Sequence, residues 1–153
     1  MTMDSMLISE IKELVTTSKF MDHITDDYLL GLKEDELLIR RDNEKLIGIL
    51  ITKKSNDYKK SWINKFTLPD NSYVVCQLVV HPHYQMKGIG KSLIQEFIKN
   101  NSTNYLTLSV SVENTGAIQF YEKTDWIRLG LFDYKTETKY NIDLKLLIYQ
   151  LKI

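Results

Sequence analysis

The chain of 153 residues is 43% hydrophobic and 26% charged, and its formal net charge at pH 7 is zero. These are the values of an ordinary globular domain, and the zero charge gives no general attraction to nucleic acid or to an anionic membrane. One cysteine excludes an internal disulfide, and the chain has neither a basic-then-apolar leader nor an apolar run of about 18 residues. We therefore expect one domain over residues 1–153, located in the cytoplasm, with no nucleic-acid or membrane partner.

Hydrophobic periodicity predicts two helices and a hairpin in the N-terminal part of the chain. Residues 5–17 place apolar side chains on one helical face, and residues 24–32 resemble a second, shorter helix. Two apolar strands, Glu36–Arg41 and Lys45–Lys53, follow with only three polar residues between them. Such a short polar connection is typical of a β-hairpin.

The middle of the chain predicts an alternation of strands and helices. Residues 54–71 are polar and indicate a loop with a short helical turn, after which Tyr73–Val80 is a valine-rich strand. The next elements are a helix over Gly88–Asn100, a strand over Tyr105–Val112 and a helix over residues 115–123. A strand, helix and strand in succession predict a parallel pair joined by a right-handed crossover.

The C-terminal part predicts two final strands, Asp125–Tyr134 and Tyr140–Ile153. Together with the preceding elements, they give a three-layer α/β fold with a mixed sheet. We expect a parallel central β–α–β unit in this sheet, antiparallel neighbours from the hairpins, and helices on both faces.

The segment after the valine-rich strand has the composition of an anion-binding loop. A proline-marked turn leads into Gly88 and Gly90 at the start of the predicted helix, with Lys87 and Lys91 beside them. The first N–H groups of a helix have no partner inside it, and glycines let an anion approach the backbone closely. A diphosphate fits such a loop, although a plain strand-to-helix turn would use the same glycines for its bend.

Two better-known phosphate-binding loops do not match this segment. A Walker A loop requires glycine at the position of Gln85, and a dinucleotide-binding fingerprint requires glycine at the position of Leu93. The pattern that remains is Gln-x-x-Gly-x-Gly, formed by Gln85, Gly88 and Gly90 and preceded by Leu-x-Val-x-Pro.

This pattern resembles the acetyl-CoA-binding motif of the GNAT superfamily of N-acetyltransferases. A second motif of that family, an asparagine followed by an alanine and a tyrosine on a short helix, is matched by Asn114, Ala117 and Tyr121. The two motifs together cover about residues 73–126. The N-terminal stretch lacks the family's usual first strand.

The resemblance implies a site for acetyl-CoA as cosubstrate, without a metal ion. The backbone of the valine-rich strand would pair with the pantetheine arm, and the loop N–H groups would hold the diphosphate. The asparagine amide would reach the pantetheine, although asparagine is also a good helix N-cap. The cofactor-binding residues implied in this way are Leu78, Val79, Val80, Gln85, Met86, Lys87, Gly88, Ile89, Gly90, Lys91, Ser92, Asn114 and Tyr121.

The implied reaction is direct attack of a neutral primary amine on the acetyl thioester. Tyr121 is the implied catalytic residue, because a phenol can protonate or hydrogen-bond the departing thiolate. Many family members place a glutamate base on the valine-rich strand, but this strand has none; Cys76 and Gln77 stand there instead. The base is left unassigned, with His81, His83 and Glu113 as open candidates. A non-catalytic acyl-CoA-binding module of the same fold is the alternative function.

The acceptor is expected to be a small-molecule or peptide amine, and a homodimer is compatible with the sequence. Residues 1–36 carry nine acidic side chains and three lysines, which would attract a cationic amine or form a solvated face. Residues 53–65 hold five lysines and one aspartate. That basic segment would meet the 3′-phosphate of CoA or simply keep a loop in solution.

Overall fold

The structure is a computed structural model that describes residues 3–21 and 24–153. Its α-helices are α1, Ser5–Thr16; α2, Asp26–Leu30; α3, Ile89–Asn100; α4, Thr115–Glu122; and α5, Tyr134–Glu137. Its strands are β1, Leu37–Asp42; β2, Lys45–Lys54; β3, Ser72–Val80; β4, Tyr105–Ser111; β5, Ile127–Asp133; and β6, Lys145–Lys152. None of the helices in the described ranges is long and apolar enough to cross a membrane.

The six strands form one mixed sheet in the order β1-β2-β3-β4-β6-β5. β1 and β2 pair antiparallel, as do β4 with β6 and β5 with β6, whereas β3 and β4 pair in parallel. The mixed sheet with a parallel central pair is therefore confirmed. The parallel pairing covers three residue pairs in the described chain, from Ser72 opposite Tyr105 to Val74 opposite Thr107, and β3 then continues for six more residues.

The chain divides into two compact units. The first consists of the chain up to Thr52 together with Val75–Asn101, and the second consists of Lys53–Val74 and Ser102–Ile153. The single-domain organisation expected from the sequence stays a prediction.

In the first unit, β2 is buried at seven consecutive positions, 46–52. This pattern arises because helices cover both faces of the strand. The apolar side chains of α1 and α2 belong to one core cluster with β1, β2 and Val79. On the other face α3 approaches closely at Gly48, where a Cβ would lie 3.3 Å from Ile89 and 3.4 Å from Leu93.

In the second unit, β4 contributes Leu106, Leu108 and Val110 to the core, and all three are buried. The strand pairs along its whole length with β6. α4 begins at Asn114, whose side chain accepts a hydrogen bond of 3.2 Å from the Ala117 N–H.

The sequence placed most of these elements correctly but misjudged the C-terminal hairpin. The strand predicted over Tyr140–Ile153 begins only at Lys145, and the strand predicted to end at Tyr134 is followed at once by α5. The reason is local: Asp133 caps α5 by accepting from the Lys135 N–H at 3.0 Å, and Lys139 adopts a left-handed φ of 59°. Residues 140–144 therefore form an irregular connection that enters β6 late.

Candidate active site

The loop after β3 is held by short backbone hydrogen bonds. The His81 N–H donates to the Ile47 carbonyl at 2.8 Å, and the Tyr84 N–H donates to the His81 carbonyl at 2.8 Å in a 3₁₀ turn. Pro82 occupies the first position of this turn, where its fixed φ is favourable and no N–H is needed. β3 therefore leads into the loop at a fixed angle.

Gln85 begins the motif and acts within the loop. Its side-chain amide donates to the Val80 carbonyl at 3.1 Å, which ties the loop to the end of β3. Two of the next three residues are left-handed: Met86 has φ 64° and Gly88 has φ 79°. A methionine in this conformation is strained, whereas glycine adopts it without cost. The side chain of Met86 is fully exposed.

Helix α3 begins without a side-chain cap. Gly88 is its N-cap and offers no side-chain acceptor, whereas each of the other four α-helices in the described chain begins with one. Those acceptors are Asp4, Thr25, Asn114 and Asp133. The first N–H groups of α3 thus remain available to an external anion, and the positive end of the helix dipole lies behind them. A Cβ built on Gly88 meets nothing within 4 Å, so the space in front of this turn is open.

The charges around the loop are mostly positive. Lys87 and Lys91 are exposed, and the ammonium groups of Lys45 and Lys87 lie 5.8 and 5.5 Å from the centre of the Tyr84 ring. The Tyr84 hydroxyl donates to Asp42 Oδ2 at 2.7 Å, which fixes the ring beside both lysines. This arrangement adds cationic attraction to the exposed N–H groups.

The two histidines of the loop contact each other. His81 Nδ1 accepts from the His83 N–H at 3.1 Å, and the two rings lie 5.1 Å apart, edge to face. Partial burial, followed by the charges of Lys45 and His83, lowers the pKa of His81. This imidazole is therefore more nearly neutral at pH 7 than a free histidine.

The second half of β3 carries the polar side chains that stand where a glutamate was expected. The Tyr28 hydroxyl donates to Gln77 Oε1 at 2.8 Å, so the carboxamide of Gln77 is held in one orientation. Burial is the main cause that raises the pKa of Tyr28, and Cys76 adds to the rise. Cys76 packs against the core cluster of the first unit. Its position is that of a small core residue rather than of a nucleophile.

In the second unit, Asn114 is engaged as the N-cap of α4 through Oδ1. This contact confirms the structural role that the sequence left open. The same contact uses only the oxygen of the carboxamide, so the N–H₂ group is not needed for the cap. The geometry of Asn114 is therefore compatible with a ligand contact through nitrogen.

Tyr121 lies in a cluster of aromatic rings and is only 7% exposed. Its ring centre is 5.3 Å from those of Trp126 and Tyr149 and 5.2 Å from that of Phe120. The hydroxyl makes no hydrogen bond to the described residues. It is not a fully buried polar atom without a partner, which Thr52 Oγ1 is. Burial, and then the neighbouring Tyr149, raises the pKa of Tyr121, so this phenol stays protonated at neutral pH.

Sequence reasoning missed a polar network beside Tyr121. The Tyr149 hydroxyl donates to Glu122 Oε1 at 2.6 Å, and Arg128 forms an ion pair with the same carboxylate. The guanidinium also lies 5.9 Å from the centre of the Tyr149 ring. The hydrogen bonds from Tyr149 and Arg128 lower the pKa of Glu122, which keeps it ionised. Nothing in the spacing of these residues along the chain signals the network.

The described residues contain no group of three or more histidine, cysteine, aspartate or glutamate side chains that could hold a metal ion.

Comparison with known proteins gives a family match. The sequence profile of the acetyltransferase (GNAT) family matches residues 7–126, whereas no curated protein gives a significant match.

Several solved structures share the fold. The ribosomal-protein-S18-alanine N-acetyltransferase of Escherichia coli aligns at 17% identity with a TM-score of 0.70, covering 100% of this chain and 92% of that one. The ribosomal-protein-alanine N-acetyltransferase of Brucella melitensis aligns at 15% identity and TM-score 0.68, covering 97% and 93%. The Salmonella typhimurium protein yncA, solved with its cofactor acetyl-CoA, aligns at 15% identity and TM-score 0.69, covering 99% and 91%. At these identities the likeness concerns the fold.

Proposed function

Because the chain belongs to the acetyltransferase (GNAT) family, we propose that it moves an acetyl group from acetyl-CoA to a primary amine by direct attack. The amine nitrogen would bond to the thioester carbonyl carbon while the carbon–sulfur bond breaks and CoA leaves as thiolate. An ammonium must first lose one proton so that it can attack as a neutral amine. The nitrogen loses a second proton after the attack, and this proton ends on the CoA sulfur. Holding both reactants in one place supplies much of the rate enhancement.

The observation that carries this proposal is the uncapped start of α3. Its free N–H groups, the left-handed Gly88 and the lysines beside it form a place where a diphosphate replaces the missing cap. The residues that would hold the diphosphate are Gln85, Met86, Lys87, Gly88, Ile89, Gly90, Lys91 and Ser92. Of these, Gln85 would act indirectly, through its hydrogen bond to the Val80 carbonyl.

The pantetheine arm would pair with the part of β3 that continues beyond the pairing with β4. Leu78, Val79 and Val80 belong to that part, and an extended ligand can add to such backbone as another strand does. Asn114 would contribute its free carboxamide N–H₂ while its oxygen caps α4.

Tyr121 would act on the sulfur as a hydrogen-bond donor. Its raised pKa makes the phenol a weaker acid than an alkyl thiol, whose pKa is near 8.5, so full proton transfer to the thiolate is uphill. A fixed O–H aimed at developing negative charge still stabilises the transition state without transferring its proton. The unpartnered hydroxyl of Tyr121 supports this role.

The acceptor class is proposed from the fold neighbours. Two of the neighbours are named for acetylating an alanine of a ribosomal protein, and a further neighbour at TM-score 0.71 was solved with a peptide and CoA. We propose a small-molecule or peptide amine, acetylated in the cytoplasm, and we leave a homodimer as a prediction.

The absence of a glutamate on β3 favours a second candidate, a module that binds acyl-CoA without catalysis. Gln77 cannot take a proton, and its oxygen already accepts from Tyr28. The two functions differ in turnover, so the deciding experiment measures free-thiol release from acetyl-CoA with polyamines, amino acids and peptides as acceptors. Amine-dependent thiol release supports the enzyme. Thermal stabilisation by acetyl-CoA with no thiol release for any amine supports the binding module, and no stabilisation contradicts both.

A further inference from the structure

The connection between β2 and β3 is much longer than a link between neighbouring strands requires. Connections in compact domains have a median of about 4–6 residues, whereas residues 55–71 fold here into two 3₁₀ turns, Ser55–Asp57 and Ser61–Asn64. Trp62 is 1% exposed and contacts the Tyr58 ring at 5.4 Å. A long connection that packs on its own side chains is typically functional.

This connection is fixed to the rest of the second unit at its start and through Lys65 and Phe66. Ser55 Oγ and Ser72 Oγ lie 2.6 Å apart. Lys65 Nζ donates to the Leu131 carbonyl at 3.2 Å and pairs with Glu137 at 2.5 Å. Phe66 lies so close to Gly130 that a Cβ there would be 3.0 Å from the ring. The connection therefore has a defined surface rather than a variable one.

That surface contains a cavity of about 500 Å³ lined by residues of the connection. The volume falls within the range of about 300–1,000 Å³ that is usual for small-molecule sites. Tyr58 and Phe66 supply aromatic walls, and Asn56 and Asn64 supply carboxamide donors.

The charged side chains that line the cavity are all positive. None of the lining residues carries a carboxylate, and two of them are lysines, Lys59 and Lys60. Within residues 3–21 and 24–153, neither of these lysines has an ion-pair partner, whereas Lys65 is neutralised by Glu137. Two uncompensated ammonium groups beside amide donors favour an anion, and the aromatic walls favour a planar apolar body attached to it.

We propose that this cavity is a binding site for a small anion, a carboxylate or phosphate joined to a planar ring. The occupant is a separate small molecule of this chemistry. The site itself does not depend on acetyl transfer, because all the residues that line it belong to the connection.

The test uses phenyl phosphate as the probe and benzyl alcohol as its uncharged counterpart, titrated into the full chain by calorimetry or NMR. Phenyl phosphate should bind and benzyl alcohol should not. The double variant Lys59→Gln/Lys60→Gln should weaken the binding of phenyl phosphate about tenfold, the loss expected when two charge-assisted contacts become neutral. The matched control is Lys99→Gln/Lys123→Gln, which removes two exposed lysines elsewhere and should leave binding unchanged. An independent variant, Gly130→Ala, should weaken the binding of phenyl phosphate because the added Cβ displaces the Phe66 ring.

A second set of titrations tests whether the ligand of the cavity is a separate molecule. Acetyl-CoA and its 3′-dephospho analogue are titrated into the parent and into the double variant. If the double variant weakens only the binding of phenyl phosphate, the occupant is a separate molecule, as proposed. If it also weakens the binding of acetyl-CoA but not of the dephospho analogue, the occupant is the cofactor's own phosphate and the proposal is overturned. Equal binding of benzyl alcohol and phenyl phosphate, or the same loss in the control double variant, would overturn the proposal.

Discussion

The rings of Tyr121 and Tyr149 lie 5.3 Å apart with an interplanar angle of 32°, although one residue belongs to α4 and the other to β6. Tyr149 is held from its other end by a 2.6 Å hydrogen bond to Glu122. The two tyrosines therefore differ in chemistry: the hydroxyl of Tyr149 is committed to a carboxylate, whereas that of Tyr121 has no partner in the described chain. Of these two tyrosines, only Tyr121 has a hydroxyl that is free to act on a ligand.

Replacing Tyr121 with phenylalanine should therefore lower turnover without harming the fold. We expect kcat to fall about 100-fold, the loss seen when one preorganised donor to developing charge is removed. Acetyl-CoA affinity should change little, because the ring remains, and the free energy of unfolding should stay within about 0.5 kcal/mol because no hydrogen bond is lost. Steady-state kinetics, cofactor titration and urea unfolding measure the three quantities. Tyr140→Phe, at an exposed tyrosine, is the control, and equal turnover in the two variants would remove Tyr121 from catalysis.

The two tyrosines with strongly raised pKa values make stability depend on alkaline pH. Burial raises the pKa of both Tyr28 and Tyr121, so their phenols hold protons in the folded state at a pH where the unfolded chain has released them. The unfolded state then binds fewer protons, and the free energy of unfolding falls as pH rises above about 10, the ordinary tyrosine pKa. Below that pH the two groups are protonated in both states and contribute no slope.

Urea unfolding between pH 7 and 11 tests this expectation. Tyr28→Phe and Tyr121→Phe should each show a shallower loss of stability above pH 10 than the parent chain. Below pH 10, Tyr28→Phe should in addition be about 1 kcal/mol less stable than the parent, because its hydrogen bond to Gln77 is removed. Parallel curves for the parent and both variants would contradict the assigned pKa directions.

The sequence predicted the turn after β3 and the start of α3 well, since each of their signals is local. Glycine at position 88 takes a left-handed φ, and the helix that follows has a plain amphipathic pattern. The contacts that the sequence did not reveal join residues far apart in the chain: Tyr28 and Gln77 are 49 positions apart, and Glu122 and Tyr149 are 27 apart. Such pairs depend on strand order and register, which hydrophobic periodicity does not encode.

The C-terminal hairpin also shows that hydrophobic periodicity does not encode strand pairing. β6 lies between β4 and β5, so the last strand of the chain is central in its part of the sheet. Periodicity identified Tyr140–Ile153 as extended but could not show that pairing with β4 starts only where Leu146 meets Ser111. Element type was therefore easier to predict than the residue at which pairing begins.

The open space at Gly88 allows a test of the diphosphate site. Alanine and glutamate at this position both add a Cβ to a left-handed residue, at a cost of about 1 kcal/mol, and nothing lies within 4 Å to clash. Only glutamate adds a negative charge at the helix start. We expect Gly88→Ala to keep the rise in melting temperature caused by acetyl-CoA and Gly88→Glu to lose it. A full ligand-induced shift in Gly88→Glu would show that the diphosphate binds elsewhere.

Asn114 offers a way to separate a capping role from a ligand contact. Its oxygen caps α4, and its N–H₂ group is the part that would reach the pantetheine. Asn114→Asp keeps the capping oxygen and removes the N–H donors, whereas Asn114→Ala removes both. Loss of the cap should cost about 1 kcal/mol of stability in the alanine variant only, since aspartate caps as well as asparagine does.

If Asn114 contacts the cofactor, Asn114→Asp should unfold at the same urea concentration as the parent and yet bind acetyl-CoA about threefold to tenfold more weakly, the worth of one hydrogen bond. Asn114→Ala should show both losses. Thr25→Ala, which removes the cap of α2, is the matched control for stability alone and should leave acetyl-CoA affinity unchanged. Parent-like affinity in Asn114→Asp would assign Asn114 to capping only and leave the pantetheine to the backbone of β3.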